Sequence, residues 1–215
     1  MNKVEQSISL GFSARWVILC GLGLGAGLFV GLALASPIGA IVGMMLVTPV
    51  ILAIAGSMFG AVQWVAIWRH PRVALLWISA SALGLALGMT LGIVLVEMLG
   101  RAITGEQVRL LTIGPWGRVV GLAGIGTMTG LAVGTIQWLA LRRYSVLGRQ
   151  WIALCAAGFG VGLPLGGLVG GVLPGGLQSG AGAATFLCLS GLVVGALTVK
   201  GAVRMATQWP SPRAI

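Results

Sequence analysis

Gly56-Ser57-Met58-Phe59-Gly60-Ala61-Val62-Gln63-Trp64 is the stretch from which the rest of this chain can be read. In a helix, positions i, i+4 and i+7 share one face. Gly56, Gly60 and Gln63 therefore form a stripe, and Arg69 closes the apolar run. The spacing returns as Gly130, Gly134, Gln137 and Trp138, closed by Arg143. It returns again as Gly191, Gly195, Thr198 and Arg204, with threonine in place of glutamine.

A second pattern alternates with the first. Trp16 is followed at +7, +11 and +15 by Gly23, Gly27 and Gly31. Trp77 leads Gly84, Gly88 and Gly92 at the same offsets, and Trp151 leads Gly158, Gly162 and Gly166. Position +4 is small each time: Cys20, Ser81 and Cys155. One Trp-led helix and one Gln- or Thr-bearing helix make a hairpin, and the hairpin is used three times. Trp16 lies 47 residues before Gln63, Trp151 lies 47 before Thr198, and Trp77 lies 60 before Gln137. The middle hairpin thus holds 13 extra residues, assigned to its far loop at 100–115.

Composition places these hairpins in a membrane. The chain has 215 residues, 58% hydrophobic and 7% charged, against about 25% charged in soluble domains. The 37 glycines suit close helix packing in lipid. Six spans are expected, near 15–35, 38–68, 73–99, 116–141, 150–173 and 179–203. Each is near or above the about 20 residues that cross a hydrocarbon core. A tight Ser36-Pro37 turn, a kink at Pro49 and a Pro174-Gly175-Gly176 turn are expected between or within them. Lys3, Arg15 and the following apolar run imitate a secretory signal. The match of that run to the Trp77 and Trp151 rows reads instead as a retained first span.

Ten of the 13 basic residues fall on one side, at 3, 15, 69, 72, 142, 143, 149, 200, 204 and 213. Arg101, Arg109 and Arg118 fall on the other. By the positive-inside rule both termini are cytoplasmic, and Trp16, Trp64, Trp77, Trp138 and Trp151 form an aromatic belt at that interface. The net charge of +10 is spread over span ends, which reads as topology and not as a nucleic-acid surface. Two-helix repeats keep their orientation in the bilayer, so the hairpins are parallel repeats. The expectation is an all-α membrane protein: six transmembrane helices in one domain, with hairpins at 15–68, 73–142 and 150–204 in a pseudo-threefold bundle.

Candidate chemistry is sparse. Gly23, Gly27, Gly31, Gly56, Gly60, Gly84, Gly88, Gly92, Gly130, Gly134, Gly158, Gly162, Gly166, Gly191 and Gly195 read as helix-packing surfaces, where bare backbone permits close approach. The other reading is a groove for a planar cofactor or a lipid tail. Gln63, Gln137 and Thr198 are either interhelical hydrogen-bond glue or a polar ring on the axis. Gln63 and Gln137 could also ligate a chlorophyll-type pigment through the amide oxygen, and His70 is a lone imidazole at the interface. Carotenoid, quinone and lipid are further ligand classes. Glu97 is the one acid in a span and can pair with Arg101 four residues on. The three cysteines, Cys20, Cys155 and Cys188, lie inside apolar runs without metal or disulfide spacing. Hydrolase, P-loop and metalloprotease patterns are missing, and a non-enzymatic protein is expected. Glu106, Arg109, Leu110 and Leu111, in the loop that departs from the repeat, are the candidate partner-docking residues.

The Gly-x-x-x-Gly-x-x-Gln-Trp…Arg-Arg hairpins (Gly56 to Arg69, Gly130 to Arg143) resemble those of small polytopic bacterial membrane proteins of unassigned function. Such proteins are frequent in cyanobacteria and filamentous green phototrophs. The resemblance implies no catalytic residues. It implies an accessory subunit or scaffold in a photosynthetic or respiratory membrane complex, in contact with lipid and other membrane subunits. A small-solute channel lined by Gln63, Gln137 and Thr198 is the alternative, and a pigment-, quinone- or lipid-binding module is the third.

Overall fold

The computed structural model describes residues 3–67, 71–104, 115–142, 148–172 and 180–208. Among them are seven α-helices: α1 (Lys3–Ala33), α2 (Ala35–Val42), α3 (Met44–Ile67), α4 (Pro71–Thr104), α5 (Pro115–Leu141), α6 (Gln150–Gly171) and α7 (Gly180–Gln208). All but α2 are long and apolar enough to cross a membrane, so the chain is an integral membrane protein.

Several boundaries differ from expectation. α1 begins at Lys3 and α4 runs to Thr104, because hydropathy marks where lipid ends and not where helical hydrogen bonding ends. The chain does not turn sharply at Ser36-Pro37. Leu34 N–H bonds to the Val30 carbonyl and Ile38 N–H to the Leu34 carbonyl, so the path stays nearly helical into α2. The break comes at Gly43, whose φ of 79° is open to glycine and strained for other residues. Pro49 then sits inside α3. The Pro174-Gly175-Gly176 turn lies outside the described residues.

The six long helices form a closed ring in chain order. α1 packs on α3, α3 on α4, α4 on α5, α5 on α6, α6 on α7, and α7 returns to α1. Glycine makes each contact. A Cβ added to Gly27, Gly88 or Gly162 would meet Ala55 Cα at 2.7 Å, Thr129 Cα at 2.7 Å or Ser190 Cα at 3.2 Å. One added to Gly60, Gly134 or Gly195 would meet Ile78 Cα at 3.0 Å, Ile152 Cα at 2.8 Å or Val17 Cα at 2.8 Å. The first set joins α1–α3, α4–α5 and α6–α7; the second joins α3–α4, α5–α6 and α7–α1. Numbering rises on one helix as it falls on its neighbour, so adjacent helices are antiparallel.

Such proximity exchanges side-chain volume for backbone contact, which gains dispersion and weak Cα–H···O bonds where lipid gives little hydrophobic drive between helices. The centre is filled. Phe59 of α3 and Phe159 of α6, on opposite sides of the ring, meet edge to face at 6.2 Å between centroids. Leu24, Leu85 and Leu163 are fully buried beside them. Leu22, Phe29, Leu83, Leu87, Leu139 and Leu165 face outward, the arrangement of a protein solvated by lipid.

Candidate functional site

Four buried polar side chains, Gln63, Ser81, Gln137 and Thr198, gather near one end of the ring, around three indoles. Trp16, Trp77 and Trp151 are the first members of their glycine rows, yet they do not form an interfacial belt. Their exposures are 0%, 0% and 2%. They turn inward because each indole N–H finds a partner on a neighbouring helix. Trp77 Nε1 donates to Gln63 Oε1 at 3.1 Å. Trp151 Nε1 donates to Gln137 Oε1 at 2.9 Å. Trp16 Nε1 donates to Thr198 Oγ1 at 3.1 Å, across 182 residues of chain. Trp77 and Trp151 also touch, with centroids 5.8 Å apart. A buried indole N–H left unbonded would cost about 1–3 kcal/mol, so inward tryptophans require these acceptors.

The amide nitrogens extend the network. Gln63 Nε2 donates to Cys20 Sγ at 3.3 Å, and Gln137 Nε2 donates to Ser81 Oγ at 2.9 Å. Ser81 passes its own proton to the Trp77 carbonyl at 2.8 Å. Both amides are thus engaged at oxygen and nitrogen. Thr198 accepts from Trp16 and donates to the Val194 carbonyl at 2.7 Å, but it has no amide to offer Cys155. The bonds therefore link α1–α3, α3–α4, α4–α5, α5–α6 and α7–α1, and among the described residues this layer leaves α6–α7 unlinked. That pair is bridged deeper, where Ser190 Oγ shares its one proton between the Phe186 carbonyl of its own helix at 2.7 Å and the Gly162 carbonyl of α6 at 3.0 Å, and at its end, where Arg204 donates to Gln150 Oε1 at 3.2 Å.

Gln63, Gln137 and Thr198 thus sit in one layer, with 1% exposure each. The tryptophans and Ser190 were not among the sequence-derived candidates. The tryptophans could have been: Gln63 precedes Trp77, and Gln137 precedes Trp151, by the same 14 residues. Glu97 is half-buried and Arg101 exposed, and the expected ion pair between them does not form. An i,i+4 pair at an exposed helix end gains only a few tenths of a kcal/mol, too little to hold two long side chains. His70, Glu106, Arg109, Leu110 and Leu111 lie outside the described residues. Among the described residues, no three His, Cys, Asp or Glu side chains come together as metal ligands. Comparison with known protein families, curated proteins and solved structures finds no match.

Proposed function

We propose that this protein is a non-enzymatic membrane scaffold, an accessory subunit of a larger membrane complex. In this reading it is built as three parallel-repeat hairpins about a pseudo-threefold axis, with both termini cytoplasmic. One observation carries the reading: the polar groups of the buried layer are spent on one another. Gln63 and Gln137 each accept an indole N–H and donate to a neighbour, and Thr198 does both with one hydroxyl. Among the described residues, every amide and hydroxyl of that layer has a partner. Phe59 and Phe159 occupy the axis where a solute would pass, which disfavours the channel. Function then falls to the perimeter and the loops. The equivalent glycine contacts at alternate interfaces support the threefold repeat, and the resemblance noted above points to a photosynthetic or respiratory membrane.

The test is recovery of the tagged full-length protein from its native membranes, beside a variant lacking residues 101–113. That deletion shortens the middle hairpin to the length of the other two. Wild type should bring down a discrete set of membrane proteins, and the deletion should lose them with unchanged thermal unfolding. Equal recovery by both proteins would overturn docking through this loop. A wild-type protein that comes out alone would overturn the scaffold role itself.

A further inference from the structure

The surface between α5 and α6 carries a cleft of about 200 Å³ at the end of the ring away from the tryptophan layer. Its mouth is Arg118, and its apolar floor and walls include Val119, Leu122, Pro164, Gly167 and Leu168. Gly167 opens the cleft. The Trp-led rows place the branched side chains of Leu32 and Ile93 at the matching offset. The volume is below the about 300–1,000 Å³ of an enclosing ligand site. It suits a chain segment laid in a groove and not an engulfed molecule.

Depth and charge define the occupant. Arg118 precedes Gln137 by 19 residues, roughly 28 Å along a helix at about 1.5 Å per residue. This is close to the about 30 Å of a hydrocarbon core, so the guanidinium reaches the headgroup level opposite the tryptophan layer. Trp116, 82% exposed in the same turn, marks that level as interfacial tryptophans do. Arg118 is exposed and has no ion-pair partner among the described residues. The chain holds 13 basic residues against three acids and cannot neutralise its own arginines. A cation at headgroup depth, above an apolar groove, complements a phosphate carrying an acyl chain. We propose that the α5–α6 cleft binds an anionic phospholipid, its phosphate on Arg118 and one acyl chain along Leu122, Gly167 and Leu168.

A second cleft supplies the contrast. It lies between α1 and α7, measures about 300 Å³, and is lined by residues such as Leu22, Phe29, Ala184 and Cys188 without any charged side chain. It should take acyl chains without regard to headgroup.

The full-length protein in nanodiscs of equal phosphatidylglycerol and phosphatidylcholine, released and weighed by native mass spectrometry, tests this. Wild type should retain phosphatidylglycerol about fivefold over phosphatidylcholine, the ratio that about 1 kcal/mol per basic residue at an anionic surface corresponds to. Arg118→Gln should remove the preference, Arg118→Lys should keep most of it, and Arg101→Gln should leave it unchanged. Millimolar inorganic phosphate should not displace the lipid. Equal retention of both lipids by wild type, or an undiminished preference in Arg118→Gln, would overturn the assignment. So would displacement by phosphate, which would assign the site to the free ion. The inference rests on membrane insertion and not on the scaffold role. Lost lipid preference with intact partner recovery would separate the two.

Discussion

The α4–α5 and α6–α7 interfaces share one glycine geometry and differ in their polar stitching. Gln137 joins α4 to α5 through Ser81 within the tryptophan layer. Thr198, at the same offset, accepts its indole and reaches no side chain on α6. Ser190 bridges α6 and α7 two helical turns away. The comparison separates two duties of the glutamine position. Accepting an indole proton is kept at all three sites, by amide or hydroxyl. Donating toward the +4 residue is kept at two and replaced elsewhere at the third. The acceptor is thus the stringent requirement, since without it a buried N–H stays unpaired, whereas a missing weak donor can be offset at another depth.

The largest expected effect falls on what the two interfaces share. A Cβ at Gly84 would stand 2.6 Å from Val133 Cα across α4–α5, as one at Gly158 would stand 3.0 Å from Val194 Cα across α6–α7. Gly84→Leu should cost more than the about 1–3 kcal/mol of ordinary overpacking and leave little monodisperse protein on size-exclusion chromatography. Gly148→Leu, with open space around it, should behave as wild type. Equal yields from both would show that close approach is incidental.

A smaller effect tests the acceptor. Trp77→Phe removes the donor from Gln63 Oε1, leaving a buried carbonyl unpaired at about 1–3 kcal/mol. Trp16→Phe should cost less, because Thr198 keeps its bond to the Val194 carbonyl. Thermal unfolding in one detergent ranks the two, and the reverse order would break the distinction drawn above.

The smallest effect lies in the displaced stitch. Ser190→Ala should cost no more than about 0.6 kcal/mol, the average for an interhelical bond in membranes, because the hydroxyl proton is shared with the Phe186 carbonyl. Thr198→Gln in that background should recover part of it by offering an amide to Cys155. A double variant no more stable than Ser190→Ala would show that the layer is closed to a third amide.

Much of this was legible in the residues. Offset rows led by Trp16, Trp77 and Trp151 foretold six apolar helices, because glycine spacing and hydrophobic length are local properties. The inward turn of those tryptophans was not legible. An indole at a span end normally seeks the interface, and only an acceptor on another helix reverses that. The bond from Trp16 to Thr198 joins the two ends of the chain, so no local pattern announces it. The break at Gly43 lies outside the repeated offsets, and the nearby Pro49, which α3 accommodates, is by residue type the stronger helix breaker. Arg118 read as a topology signal, since the cleft beneath it exists only once α5 lies against α6.

The pairing of α1 with α7 has a consequence for biosynthesis. Chains emerge N-terminus first, so α1 enters the bilayer while most of the protein is still unmade. Until α7 follows, Gly21 and Gly25 face lipid instead of Leu192 and Cys188, and the Trp16 indole waits for a hydroxyl 182 residues downstream. Every nascent intermediate is an open arc with an unsealed seam at its first helix. A chain that stops short of α7 leaves Gly21, Gly25 and the Trp16 indole without the partners that close the ring.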